Sequence, residues 1–127
     1  MIEPERRLVR SRAWGVIVDA DLQGTQRGVR EDPRFDPHFR QIYDFTEVTH
    51  VRLTGSGVRA LASSSPFARD ARRAIVVASE VAYGMARMYM LVSDRDSSVF
   101  RIFRDLAAAE RWLDAEADVA VGEQRAR

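Results

Sequence analysis

The chain has 127 residues, 20 basic and 19 acidic side chains and a formal net charge of +1, the size of one domain that buries roughly two-thirds of the surface its unfolded chain exposes. It contains no Cys, which excludes disulfides, thiolate-bound zinc, iron–sulfur clusters and thiol nucleophiles. Every basic residue is Arg; the arginines are spread along the chain and interleaved with acids, only Arg69, Arg72 and Arg73 forming a local group, so no nucleic-acid-binding stripe is evident.

Taken in chain order, Arg7–Ala13 reads as an edge strand and Trp14–Ala20 as a second strand. Trp14, Val16, Val18 and Ala20 share one face of that strand and Ile17 lies on the other. The two stretches are expected to pair as a hairpin that turns near Trp14–Gly15. Asp21–Asp32 follows as a helix with Leu22 and Val29 on its apolar side, weakened by Gly24 and Gly28 and stopped by Pro33. In the turn after it, Phe35 and Phe39 are expected to plug the end of the core. Arg40–Phe45 is a short strand and Thr54–Ser63 a short helix carrying Val58, Leu61 and Ala62. Arg73–Ala78 is a continuous apolar run of the kind that is buried on both faces in a central parallel strand.

Ser79 reads as the N-cap of a helix over Glu80–Val92, with Val81, Met85, Met88, Tyr89 and Val92 facing the core and Met90 off that face. Ser98–Phe103 alternates as a last strand. Asp105 caps a final helix bearing Leu106, Ala109, Trp112 and Leu113, and residues 118–127 are expected to fray. The order is β-β-α-β-α-β-α-β-α, an α/β fold with a mixed β-sheet and helices packed on it in one domain over residues 1–127. The segment MIEPERRLVRSR is neither a secretory signal nor an anchor, and no run approaches the ~20 apolar residues of a membrane span, so a cytoplasmic location is expected.

Groups with catalytic chemistry are sparse. His38 sits in a Pro-bounded turn and His50 in the loop after a strand. There is no GxSxG elbow, HExxH pair or GK[ST] loop. Asp94 and Asp96 resemble the start of a calcium loop, but the remaining ligands and the closing Glu are missing. The expectation is a chain with no catalytic centre, cofactor or metal. One segment stands out, Thr49–Gly57 (THVRLTGSG), where hydroxyls and glycines precede a helix. A helix N-terminus presents unpaired N–H groups and holds anions, so Thr54, Gly55, Ser56 and Gly57 form a candidate phosphorylation or anion loop. The plainer reading is a capped helix, with Thr54 or Ser56 accepting from first-turn amides.

The stretch DFTEVTHVRLTGSGVRAL, Asp44–Leu61, resembles the heart of the STAS domain, in which a strand ends in Asp-Leu-Ser and a following loop carries Asp-Ser-Ser-Gly into a helix. Asp44 matches the strand-end Asp and Thr46 the hydroxyl two residues on. Thr54 and Gly55 match the second Ser and the Gly, while Arg52 and Leu53 stand where the family has Asp and the first Ser. The remainder, from AIVVASEVAYGMARMY through VFRIFRDLAAAERWL, is similar to the small bacterial SpoIIAA-like branch of that family. The resemblance implies a SpoIIAA-like, STAS-like fold and a non-enzymatic regulatory module. Such a module binds a protein partner through a surface containing Asp44, Thr46, Arg52 and Arg59 and is switched by phosphorylation at Thr54. A small-ligand binder, with a lipid or nucleotide between the Phe-rich segment and the Met-rich helix, is the alternative. Self-association as a homodimer, through a sheet edge or that helix, is a further expectation about partners.

Overall fold

The computed structural model describes residues 1–95 and 97–125, with side chains as far as Ala115. Its backbone elements are β1 (Ile2–Glu3), a 3-10 turn (Pro4–Arg6), β2 (Leu8–Val18), α1 (Asp19–Glu31), β3 (Arg40–Arg52), α2 (Gly55–Ser63), β4 (Arg73–Val77), α3 (Glu80–Val92), β5 (Phe100–Phe103) and α4 (Leu106–Arg125). Among the described residues these form a five-stranded mixed sheet in the order β1-β2-β3-β4-β5. Only the β1–β2 pairing is antiparallel.

The strand order follows the sequence order, and that fixes where the helices go. Right-handed crossovers that always step in one direction deliver every intervening helix to the same face of the sheet. Leu22 of α1, Leu61 of α2 and Ala82 and Ala86 of α3 accordingly pack in one cluster on Ala13, Tyr43, Ile75 and Phe100. α4 follows the last strand and closes the opposite face, where Ala109 and Leu113 meet Leu8, Ile42, Ala74 and Val76. With no reversal of strand order, the sheet lacks the switch-point crevice in which open α/β folds usually bind ligands.

The α/β alternation, the buried Arg73–Val77 strand, the Ser79 cap on Ala82 N (3.1 Å) and the apolar side of α4 stand as expected. Phe35 and Phe39 do plug one end of the core, with Phe35 edge-on to Phe67 and to Phe39 at ring separations of 5.2 and 6.3 Å. The expected hairpin does not form. Leu8–Val18 is one continuous strand, and the antiparallel partner is the Ile2–Glu3 strand, in register with Val9 and Leu8. Gly15 takes a positive φ of 68° without turning the chain. It sits at the second of two register shifts, where β3 takes one extra residue against β2.

β3 also runs seven residues past the expected Phe45 end. It stays paired with β2 as far as Val18 opposite Arg52, while its pairing with β4 stops at Phe45 opposite Val77. His50 and Arg52 therefore belong to a strand and not to a loop. In α3 the buried residues are Ala82 and Ala86, whereas Val81 and Val92 are exposed. The helix is rotated by about one residue from the expected stripe, because small side chains allow it close to the sheet. Met90, expected off the core face, packs against the core with Tyr83, Met85 and Tyr89. Asp96 and the side chains of the expected frayed tail over 118–127 lie outside the described residues.

Candidate functional site

The Thr54 loop is a capped helix whose anion is supplied by the chain itself. Parallel pairing of β2 with β3 brings their C-terminal ends together, so Asp19, directly after β2, meets Thr54, just after β3. The Asp19 carboxylate accepts from Thr54 N at 3.0 Å and from Thr54 Oγ1 at 2.6 Å. Thr54 Oγ1 in turn accepts from Gly57 N at 2.9 Å, and Ser56 Oγ lies 3.2 Å from it. These hydrogen bonds hold the Asp19 carboxyl below its ordinary range, the Thr54 side chain contributing most. Gly57 is required for this approach, since a Cβ there would stand 2.3 Å from the Asp19 carboxyl. Asp19 was not among the residues singled out in the sequence; its only signal is an acid at the first helical position after a strand.

The remaining expected residues divide. The Arg59 guanidinium lies over Gly55, 3.5 Å from where a Cβ would be. Arg52 is exposed opposite Val18. Asp44 and Thr46 lie far back along β3, roughly 26 and 20 Å from Arg52 at about 3.3 Å per residue. There they satisfy each other, with Asp44 Oδ1 accepting from Thr46 N at 2.8 Å and from Thr46 Oγ1 at 2.6 Å. These four residues do not form one patch.

The C-terminal halves of β2 and β3 project beyond the rest of the sheet as a two-stranded ribbon. Val48 and Val51 of this ribbon, and Leu53 just past its end, pack toward the helices. On the other face Trp14, Val16 and Val18 are exposed, at 65%, 47% and 39%. The Arg12 guanidinium stacks 5.5 Å from the Trp14 ring and pairs with Glu47 across the strands.

A third feature lies under the helices. A cavity of about 60 Å³ opens between the sheet and α1, α2 and α3, lined by apolar side chains and by Gln41, Tyr43, Arg73 and Tyr89. Arg73 opens the most buried strand and is only 5% exposed. Its Nε donates to Gln41 Oε1 at 2.9 Å and its Nη1 to Tyr89 Oη at 2.8 Å, and Gln41 Nε2 donates to Ser11 Oγ at 3.2 Å. The rings of Phe67, Tyr89 and Phe100 surround the guanidinium at 4.6, 5.3 and 5.6 Å.

No carboxylate pairs with Arg73 among the described residues. The nearby Arg95, spent on the carbonyls of Phe67, Ala68 and Arg69, is held below its ordinary pKa by burial and then by the Arg73 charge. Tyr43 Oη is buried and has no hydrogen-bond partner among the described residues. Thr25 stands close enough to ease its ionisation but outside hydrogen-bonding geometry, and burial dominates, pushing the phenol up. Within the sequence's one basic group, Arg69 and Arg72 reach outward to the carbonyls of Asp94 and Ser98, and only Arg73 turns in. The signal for that was an Arg leading an otherwise apolar run.

His38, 3.4 Å from Asp70, and His50, 3.2 Å from Thr49, are on the surface away from the cavity. Among the described residues no cluster of three His, Asp or Glu could hold a metal ion, and no helix is long and apolar enough to cross a membrane. No family model, curated protein or solved structure matches the chain, so the chemistry of its surfaces and cavity carries the functional argument.

Proposed function

We propose that this chain is a non-enzymatic regulatory module of STAS-like type that binds a protein partner at the end of the sheet where β2 and β3 finish, under the control of Thr54. The observation that carries the reading is the Asp19–Thr54 clasp. Thr54 is exposed, and its hydroxyl is at once the cap of α2 and a donor to Asp19. A phosphate on Thr54 Oγ1 removes the donated proton and sets about −1.5 to −2 charges against the Asp19 carboxylate. The junction between α1 and α2 then has to open.

The docking surface adjoins that junction. Val18 immediately precedes Asp19, and Arg52 opposite it precedes Thr54 by two residues. Beyond Arg10 on β2 and Phe45 on β3, both edges of the ribbon are unpaired among the described residues. An open edge beside an exposed apolar strip suits a partner that adds an extended segment, with main-chain pairing to the edge and side chains over Trp14, Val16 and Val18. Arg52 and Arg59 at the same end favour an acidic segment. Asp44 and Thr46 lie outside this surface.

The test is a photo-crosslinking residue placed at position 14 in the full chain in its own host, combined with a peptide map of the purified protein. A protein crosslink that disappears in Thr54→Glu, together with phosphate on Thr54, is expected. A chain that crosslinks to nothing overturns the docking surface, and one unphosphorylated under all growth conditions overturns the switch.

A further inference from the structure

We propose that the cavity beneath α1, α2 and α3 is a binding site for a small organic anion, a carboxylate on a short apolar body, held by Arg73 and the hydroxyls of Tyr43 and Tyr89. The site lies beneath the helices, while the partner surface lies along the end of the ribbon; Leu22, Thr25 and Tyr43 stand between the two.

The polar groups that reach the cavity set the sign of the ligand. Arg73 is nine-tenths buried and carries a charge that no described carboxylate neutralises. Aromatic faces offset part of the cost of burying a guanidinium, but they offer no acceptor for its remaining N–H groups. Nε and Nη1 are engaged, and Nη2 has no partner among the described residues. Tyr43 Oη, on a residue 9% exposed, is unpartnered. Tyr89 Oη accepts from Arg73 and keeps its own proton for donation. Three donors thus border one cavity around the Arg73 charge, with Gln41 Oε1 already accepting from the guanidinium and the acceptors of Thr25 and Gln26 at the rim. A ligand that answers these donors and neutralises Arg73 is an anion with acceptor oxygens.

The walls and size narrow the class. Leu22, Leu61, Met85 and Phe100 supply apolar surface beside the polar end, as ligand sites with a few placed polar groups do. At the 10–15 Å³ one water requires, the cavity takes about four to six non-hydrogen atoms, which fits a three- or four-carbon carboxylate. The half-buried Thr25, Gln26 and Val29 of α1 line its rim, so entry is along that helix. The chain Ser11–Gln41–Arg73–Tyr89 runs across β2, β3 and β4 to α3 and holds the guanidinium in one orientation.

Calorimetric titration of the full-length protein with sodium butyrate, and with its neutral isostere butyramide, tests the site. Saturable binding of butyrate is expected, with butyramide weaker by at least about tenfold. Tyr43→Phe, which keeps the ring and the fold, should weaken butyrate roughly three- to tenfold. Arg73→Met should abolish binding, with Tyr43→Phe the informative variant if Arg73→Met does not fold. Butyrate that fails to saturate by about 20 mM, well above a millimolar Kd, overturns the proposal. So does equal affinity for butyramide, which would make the cavity a reader of shape and not of charge.

Discussion

Replacing Tyr43 by Phe in the ligand-free protein isolates the energetic cost of one buried hydroxyl. The ring stacks on Phe45 at 4.4 Å with planes 25° apart and lines the cavity, and neither contact needs the oxygen. A buried polar group without a partner costs about 1–3 kcal/mol, which the substitution relieves. Losing one oxygen enlarges the cavity by about 10 Å³, which at about 24 cal/mol per Å³ takes back only about 0.2 kcal/mol. The variant is therefore expected to gain about 1–2 kcal/mol, the lower part of the relieved range. At about 2.1 cal/mol/K per residue, that gain raises Tm by roughly 4–8 °C for a chain of this size.

Urea and thermal unfolding followed by circular dichroism measure it directly. Alkaline pH gives a second reading. The Tyr43 phenol is raised above 10.0 in the folded state by burial, so stability is unaffected by its ionisation below pH 10 and falls as pH rises from there through the folded value. That loss should be shallower in Tyr43→Phe. With butyrate saturating, the wild type should gain more stability than the variant. A Tyr43→Phe protein that loses stability without ligand would show that the hydroxyl is satisfied in the native state, and the reasoning about the cavity's donors would fail at its first step.

Other perturbations address the clasp, the ribbon and the core. Gly57→Ala forces the Asp19 carboxylate away from Thr54, whereas Gly55→Ala meets only the flexible Arg59 guanidinium at 3.5 Å; hydrogen exchange at residues 54–58 should accelerate in the first and stay unchanged in the second. Because the Asp19 pKa is lowered by Thr54, the clasp's contribution is present above the ordinary aspartate value of 3.8 and is lost as pH falls through the depressed folded value; the Thr54 amide resonance should move in step with the Asp19 carboxyl in an NMR titration. Trp14→Ser should leave stability within about 0.5 kcal/mol, as for surface positions generally, while reducing partner capture. Phe100→Ala, at a fully buried side chain that also faces Arg73, should cost about 3–5 kcal/mol by chemical denaturation.

Much of the architecture was legible in the order of the residues, because short-range physics settles it. The apolar run behind Arg73 reads as a strand buried on both faces, and it is one. Ser79 and Thr54 each accept from the amide three residues on, the local hydrogen bond that makes such residues good caps. Leu106, Ala109, Trp112 and Leu113 recur at helical spacing, and α4 turns them to the sheet. Alternation also placed Trp14, Val16 and Val18 on one face, though not which face would be left uncovered.

Tertiary structure decided whatever depended on a partner distant in the chain. Gly15 reads as a turn in isolation, yet β3 lies alongside and absorbs it as a register shift in a continuous strand. β3 reaches Arg52 only because β2 pairs with it to the end. The face that α3 buries was set by how closely Ala82 and Ala86 let it approach the sheet, which outweighs the larger but outward-facing Val81 and Val92. The clasp of Asp19 on Thr54 spans 35 residues, and the bond from Arg73 to Gln41 spans 32. No periodicity encodes such pairs. They exist because parallel strands bring like ends together, so the charge, the donors and the cavity they share are products of the sheet.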